Sequence, residues 1–276
     1  MQQVLKTMLE NVRAKTPLVH NITNYVTVND VANVLLAAGG SPIMSDDADD
    51  VEDITSICGG LNINIGTLNK NTIPSMFLAG KKANELGHIV LLDPVGAGAS
   101  RLRTDTANRL MQEVRFDAVR GNISEIKTLC TGSGSTKGVD ADAVDAVTEA
   151  NLDDGVQLVK TFAQRAGCIV AVTGAIDLVS DGERCWCIRN GRAEMSLITG
   201  TGCQLSALMT AFLVANPDHK LAAAAAAVCM MGLAGEIGWA NMQPGDGNST
   251  YRNRIIDAIF NMTGDALEKG AKYELR

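Results

Sequence analysis

A chain of 276 residues with 46% hydrophobic and 20% charged side chains can bury a substantial core without disulfides or metals. Its net charge of −7 excludes a general nucleic-acid binder, which needs a basic face. Aromatic residues make up only 4%, so the core must be assembled from Ala, Val, Ile, Leu and Met.

The opening "MQQVLKTMLENVRAK" has neither a continuous apolar stretch nor a small-residue cleavage site, so no secretory signal is expected. Strand candidates follow at "SPIM" (41–44), "LNINIG" (61–66), "HIVLLDP" (88–94), "DAVRGN" (117–122) and "CIVAVTG" (168–174). Between them lie "DDVEDITSICGG", "IPSMFLAGKKANELG", "RTDTANRLMQEV" and "LDDGVQLVKTFAQRAG". The last three carry apolar residues at helical spacing, and two of them end in Gly, the usual helix stop. This alternation predicts an α/β fold with a mainly parallel sheet and helices on both faces.

The stretch 131–155 is rich in Gly, Ser and Asp and is expected to be a mobile surface excursion with a short helix. In "AIDLVSDGERCWCIRNGRAEMSLI" two turn signals divide three short strands, predicting an antiparallel meander. Everything after Cys203 is expected to be helical. The segment "LAAAAAAVCMMGLAG" (221–235) is short for a bilayer span, mostly alanine, and closed by Glu236. It reads as a core helix that lets backbones approach, and no membrane partner is expected. No linker or internal repeat divides the chain, so residues 1–276 are taken as one domain.

The seven cysteines are odd in number and irregular in spacing, which argues against a disulfide framework. Without a C-x-x-C, and with His20, His88 and His219 far apart, a zinc site is not expected either. Cys185 and Cys187, two apart on a strand, are expected on one half-buried face. A reducing cytoplasm fits this set.

In open α/β sheets ligands sit beyond the carboxyl ends of the strands. Asp93, Arg120, Asn122, Glu125, Thr173 and the turn "TGTGC" collect there, and together they suggest one cleft. Two readings stand for each. Asp93 before Pro94 makes a turn or helps to position a metal–phosphate. Asn122 and Glu125 form a capping box, or Glu125 holds Mg²⁺, with Arg120 beside a phosphate. Gly200 and Gly202 free backbone amides at a helix start, an anion-binding arrangement that is neither a Walker loop nor a dinucleotide fingerprint. Cys203, one residue on, is either a thiolate favoured by the helix dipole or a small core residue under the turn.

With these residues assembled, the chain resembles the hydroxyethylthiazole kinases of the ribokinase-like superfamily. The likeness runs over its whole length. It rests on "LVHNITNYVTVNDVANVLLAAGGSPIMS" (18–45), "LNINIGTL", "VLLDPVGAGAS", "VRGNISEI", "AVTGAIDLVSDG" and "TGTGC". The resemblance implies phosphorylation of the side-chain hydroxyl of 4-methyl-5-(2-hydroxyethyl)thiazole by ATP, in thiamine salvage. It implies substrate contacts at Met44, Gly200 and Asn24, ATP contacts at Arg120, Thr173 and Asn122, and Mg²⁺ near Asp93 and Glu125. Gly200, Gly202 and Cys203 would be catalytic, Cys203 standing where related sugar kinases carry an aspartate base. A homotrimer with substrate sites at subunit interfaces, lined by "HNITNYV", is also implied. Two other activities compete. An NAD(P)H-hydrate dehydratase of the same fold should carry Asp after the glycine turn. A cysteine-dependent acyl transferase or hydrolase would need a histidine base, for which His20 is the candidate. A non-catalytic thiazole-binding regulator is disfavoured, because the phosphate-handling residues are all present.

Overall fold

Runs of β-branched residues, apolar on both faces, form a sheet only when helices cover both sides, and that is what this chain builds. The computed structural model describes residues 3–132 and 146–276. Helix α1 (Val4–Lys15) leads into strand β1 (Leu18–Ile22), α2 (Val28–Ala38), β2 (Ser41–Met44), α3 (Val51–Ile57) and β3 (Gly60–Asn64). Next come α4 (Thr72–Leu86), β4 (Ile89–Asp93), α5 (Arg101–Glu113), β5 (Ala118–Asn122) and α6 (Ile123–Thr131). Then α7 (Leu152–Ala166) precedes β6 (Ile169–Thr173), β7 (Asp177–Ser180) and β8 (Cys185–Ile188). The chain ends with α8 (Thr201–Ala215), α9 (Lys220–Ala240), α10 (Asn248–Asn261), α11 (Gly264–Gly270) and β9 (Tyr273–Leu275).

The nine strands form one sheet in the order β2-β1-β3-β4-β5-β6-β7-β8-β9. The first six in that order pair in parallel, and β7, β8 and β9 add on antiparallel. Side chains alternate between two cores. Leu61, Ile63, Val90, Leu92, Val119, Val170 and Val172 pack under the layer containing α4, α5, α6 and α7. Leu91, Ala118, Ile169 and Ala171 pack under α1, α8, α9, α10 and α11. Gly87 and Gly167 end α4 and α7 in left-handed conformations, φ +70° and +64°, where a β-carbon would be strained.

Helix α9, with the turn before it, is long and apolar enough to cross a bilayer (Pro217–Ala240), yet its most apolar window is 83% buried inside the protein. Ala223 to Ala227 are wholly buried. A β-carbon at Gly232 would lie 2.7 Å from the Asn190 backbone, so small residues here do serve close backbone approach.

Four expectations change. Strand β1 was not anticipated, because His20 and Asn21 interrupt its apolar run. Only two strands of the expected meander form: residues Ala193–Leu197 make a 3-10 helix instead. The third antiparallel place goes to β9, at the end of a segment expected to be all helical; it pairs Trp186 with Leu275. Cys185 and Cys187 share a face as expected but are fully rather than half buried. Of the 131–155 excursion, residues 133–145 lie outside the described residues. Its far end is already regular, with a 3-10 turn at Glu149–Asn151 and α7 beginning at Leu152.

Candidate functional site

The strand order reverses at β1, which lies between β2 and β3, and a crevice at the carboxyl ends follows from such a reversal. Asn24 follows β1 and Asn64 ends β3, so the two straddle the reversal. Asn64, Asp93, Arg120 and Thr173 all project to the sheet face covered by α8, a polar row set on otherwise apolar strands. Such a row is stable only if its members bond one another. Asn64 Nδ2 donates to Asp93 Oδ2 at 2.9 Å, and Ser206 Oγ on α8 donates to the same oxygen at 2.7 Å. Arg120 Nη1 stands 3.6 Å from that oxygen, and Arg120 Nη2 donates to Thr173 Oγ1 at 2.5 Å. Burial pushes the Asp93 carboxyl above its ordinary range, opposed by Arg120, Ser206 and Asn64. Two groups here keep unmatched capacity: Asp93 Oδ1 and Arg120 Nε are buried without a partner. A buried acceptor and a buried donor left unpaired are costly, and a ligand that carries both signs would satisfy them.

Helix α8 starts at this row. Gly200 precedes it at φ +83°, a left-handed conformation, and a β-carbon there would strike Thr27 Cγ2. No side chain caps the helix, so the first-turn amides of Thr201, Gly202 and Cys203 point toward the crevice without helical acceptors. Gly202 lies flat against Arg120, where a β-carbon would come within 2.5 Å of Nη1. The positive end of the helix and the guanidinium therefore converge on one place, which suits a phosphate. Cys203 is 7% exposed and accepts from Asn24 Nδ2 at 3.2 Å. Of the two readings of Cys203, the dipole-favoured thiolate is the one opposed here: burial, with Asp93 nearby, pushes the thiol up. Arg120 and the amides of Asn24 and Asn64 only partly oppose this. Desolvation acts over the whole side chain, whereas the dipole acts from one direction.

Asn122 and Glu125 do form a capping box. Asn122 Oδ1 accepts from Glu125 N, and Glu125 Oε2 accepts from Asn122 N, both at 2.8 Å. Glu125 Oε1 also accepts from Gly96 N at 2.7 Å, which ties the turn after Asp93 to α6. Burial first, and Asp93 second, push the Glu125 carboxyl up to about 7. Among the described residues no cluster of three or more His, Cys, Asp or Glu forms a self-sufficient metal cage. The donors fit a magnesium ion of the kind that rides on nucleotide phosphates, which takes one or two carboxylates and keeps several waters. The unpartnered Asp93 Oδ1 is the observation that favours this fit.

The structure thus brings together Asn24, Asp93, Arg120, Asn122, Glu125, Thr173, Gly200, Gly202 and Cys203. Met44 joins them from the edge strand, packing against the small cluster that holds Cys203, Ala207 and Ala211. His20 stays outside the group. Its Nδ1 meets Thr55 Oγ1 and its Nε2 meets the Ser45 carbonyl, each at 2.9 Å, and burial lowers its pKa. It projects from the opposite face of β1 to Val19, a member of the cysteine's cluster, so no Cys203–His20 pair forms. Asn64 and Ser206 were not singled out from the sequence. The signal for Asn64 lay in "LNINIG", where Asn62 and Asn64 recur at period two on one face of a buried strand. Ser206 had none beyond falling one helical turn after Gly202.

The hydroxyethylthiazole kinase family model matches residues 9–265. A hydroxyethylthiazole kinase from Clostridium acetobutylicum is 57% identical over 271 residues, covering 98% of this chain and 99% of that one. Another from Clostridium beijerinckii is 50% identical, covering 97% and 95%. The structure of a hydroxyethylthiazole kinase protein from Pyrococcus horikoshii OT3 superposes with a TM-score of 0.88 at 32% identity, over 100% of both chains. A pyridoxal kinase from Staphylococcus aureus, solved with ADP, has a TM-score of 0.59 at 14% identity over 79% of this chain and 86% of that one, a likeness of fold alone.

Proposed function

This chain belongs to the hydroxyethylthiazole kinase family, and from that premise we propose how it works. It transfers the γ-phosphoryl group of ATP to the primary hydroxyl of 4-methyl-5-(2-hydroxyethyl)thiazole, giving the thiazole phosphate and ADP for thiamine synthesis. The observation that carries the site assignment is the meeting of Arg120, the uncapped start of α8 and the unpartnered Asp93 Oδ1 at one place.

In this reading Arg120 and Thr173 receive the nucleotide phosphates, and the amides of Thr201 to Cys203 stabilise charge on the group in flight. Asn122 orders the approach by capping α6. Asp93 and Glu125 would hold a magnesium ion, Glu125 through water because its oxygens already accept amides, and the ion would supply positive charge against the nucleotide phosphates. The thiazole lies between Met44, Asn24 and Gly200, with its hydroxyl donating to the Cys203 sulfur. That directs an oxygen lone pair at the γ-phosphorus. Burial raises the pKa of the Cys203 thiol, which suits a group that orients the nucleophile rather than deprotonating it in advance. As the new O–P bond forms and the bond to ADP breaks, the hydroxyl proton passes to a phosphoryl oxygen. A loose transition state asks for positioning more than for a strong base, which makes a thiol sufficient.

The whole chain acts as one kinase domain in a reducing cytoplasm, which agrees with seven free thiols. It works as a homotrimer whose neighbouring subunit covers the site. Tyr25 and Val26, immediately after Asn24, are 77% and 56% exposed, an apolar surface in need of cover. Coupled ADP-release measurements with hydroxyethylthiazole against a panel of other alcohols, with and without Mg²⁺, test the reading. ADP should form with the thiazole only when the divalent cation is present. Release no faster than background would overturn it.

A further inference from the structure

A buried chain of side-chain amides connects the Cys203 sulfur to the Asp93 carboxylate, and its polarity is set at a single residue. Asn64 Oδ1 accepts from the Gly66 backbone N–H at 2.8 Å, and Asn64 Nδ2 donates to Asp93 Oδ2 at 2.9 Å. A backbone N–H can only donate, and Asp93 Oδ2 is an acceptor already engaged by Ser206, so the two ends of the Asn64 amide cannot exchange. Its carbonyl end therefore faces Asn24, 3.3 Å away. Two amide oxygens repel at that distance, so Asn24 must present its NH₂ end. That same Nδ2 lies 3.2 Å from Cys203 Sγ. The Thr27 hydroxyl, 3.1 Å from Asn24 Oδ1, can donate or accept and so follows the orientation without setting it. A β-carbon at Gly66 would lie 2.8 Å from both Asn24 Nδ2 and Asn64 Oδ1, so a bare glycine is what lets the two amides meet.

We propose that Asn64 is a positioning residue for phosphoryl transfer: by turning the Asn24 N–H toward Cys203 it keeps the sulfur an acceptor at the hydroxyl end of the site. The direction comes from Asp93 and Gly66 at the phosphate end, so the two halves of the site share one hydrogen-bond polarity. This rests on the assignment of Cys203 to the acceptor hydroxyl. With the opposite orientation of Asn24, the thiol would spend its hydrogen on the amide oxygen, and the sulfur would lose the donor that favours negative charge.

The test compares Asn64→Leu, similar in size and unable to bond, with Asn64→Asp. The aspartate variant keeps an acceptor for Gly66 and Asn24, and a proton shared with Asp93 preserves the remaining link. Alkylation of Cys203 by iodoacetamide at pH 8, located by peptide mass spectrometry in ligand-free protein, is read beside steady-state kinetics. In Asn64→Leu, alkylation should slow about tenfold, the equivalent of one pKa unit. Its kcat should fall with KM for ATP unchanged, while in Asn64→Asp alkylation stays near the wild-type rate. Mere loosening of the fold would speed alkylation instead. Alkylation in Asn64→Leu as fast as in wild type, or Asn64→Asp as slow as Asn64→Leu, would overturn the proposal. If Asn64→Leu does not fold, Asn64→Ser, too short to bridge both neighbours, takes its place with the same outcomes. Alkylation needs neither ATP nor thiazole, so it judges Asn64 separately from the kinase assignment, which ADP release with wild type decides.

Discussion

Replacing Gly202 by alanine separates the phosphate-handling role of this residue from its place in a helix. The new β-carbon would lie 2.5 Å from Arg120 Nη1, 2.7 Å from Nη2 and 2.9 Å from Cζ, where ordinary contact begins at 3.4 Å. The guanidinium must therefore move by about 1 Å, because the opposing atoms belong to the first turn of a packed helix. Movement on that scale stretches the bond to Thr173 and the pairing with Asp93. Helix propensity works in the other direction, favouring alanine over glycine by about 1 kcal/mol. A hydrogen bond to a charged group is worth about 1.5–3 kcal/mol. The loss exceeds the gain by about 0.5–2 kcal/mol, so the melting temperature should fall by only a few degrees. Activity has no such compensation: displacing a positioning group by about 1 Å costs on the order of 100-fold, or about 2.7 kcal/mol of transition-state stabilisation. Initial rates with ATP varied at saturating thiazole, and the reverse, should give a kcat/KM for ATP reduced by about that factor with KM for the thiazole unchanged. A folded Gly202→Ala enzyme with the wild-type kcat/KM for ATP would refute the argument that Arg120 acts on phosphate at this position.

Other outcomes follow from the same geometry. Cys203→Ala should lower kcat with little change in KM for ATP, and Cys203→Asp, which restores a strong acceptor, should retain or raise it; an alanine variant as fast as wild type would remove Cys203 from the reaction. Glu125 titrates near 7 in the fold against an ordinary 4.5, so its contribution to stability is full below pH 4.5 and is lost as pH rises through 7. Melting curves of the ligand-free protein from pH 4.5 to 8 should show this loss, on the order of 3 kcal/mol, and the slope should be missing in Glu125→Gln; parallel curves would show that another group titrates. Gly232→Ala places a β-carbon 2.7 Å from the Asn190 backbone and should cost about 1–3 kcal/mol, seen as a lower melting temperature with kcat intact.

Much of the fold was legible in local pattern. Strands β3 to β6 and helices α4, α5 and α7 fall within a few residues of the apolar runs and glycine stops that announce them. Failures occur where a residue's partner is distant. His20 and Asn21 look wrong for a buried strand until Thr55, Ser45 and Asn62 supply their hydrogen bonds. The outer edge of β8 is filled from the far end of the chain, and β9 is only three residues long, too short to leave a periodic trace. Asn62 and Asn64 carry a period-two signal, although neither was singled out from the sequence. Ser206, read along its own helix, was one small residue among many.

Most of the elements, and the chemical groups that gather at the strand ends, could be read from local periodicity and from the alternation of strands with helices, but β1 and β9 could not. The sequence also supplied the glycines without which Thr27, Arg120 and the two amides of Asn24 and Asn64 could not close in. The state of those groups is set by the assembled fold. Burial pushes the Cys203 thiol up, Glu125 is both a cap and a carboxyl pushed up to about 7, and Asn24 faces the sulfur with its N–H. Burial and hydrogen-bond direction are sums over neighbours from β1, β3, β4, β5 and α8, and those neighbours meet only once the sheet is assembled.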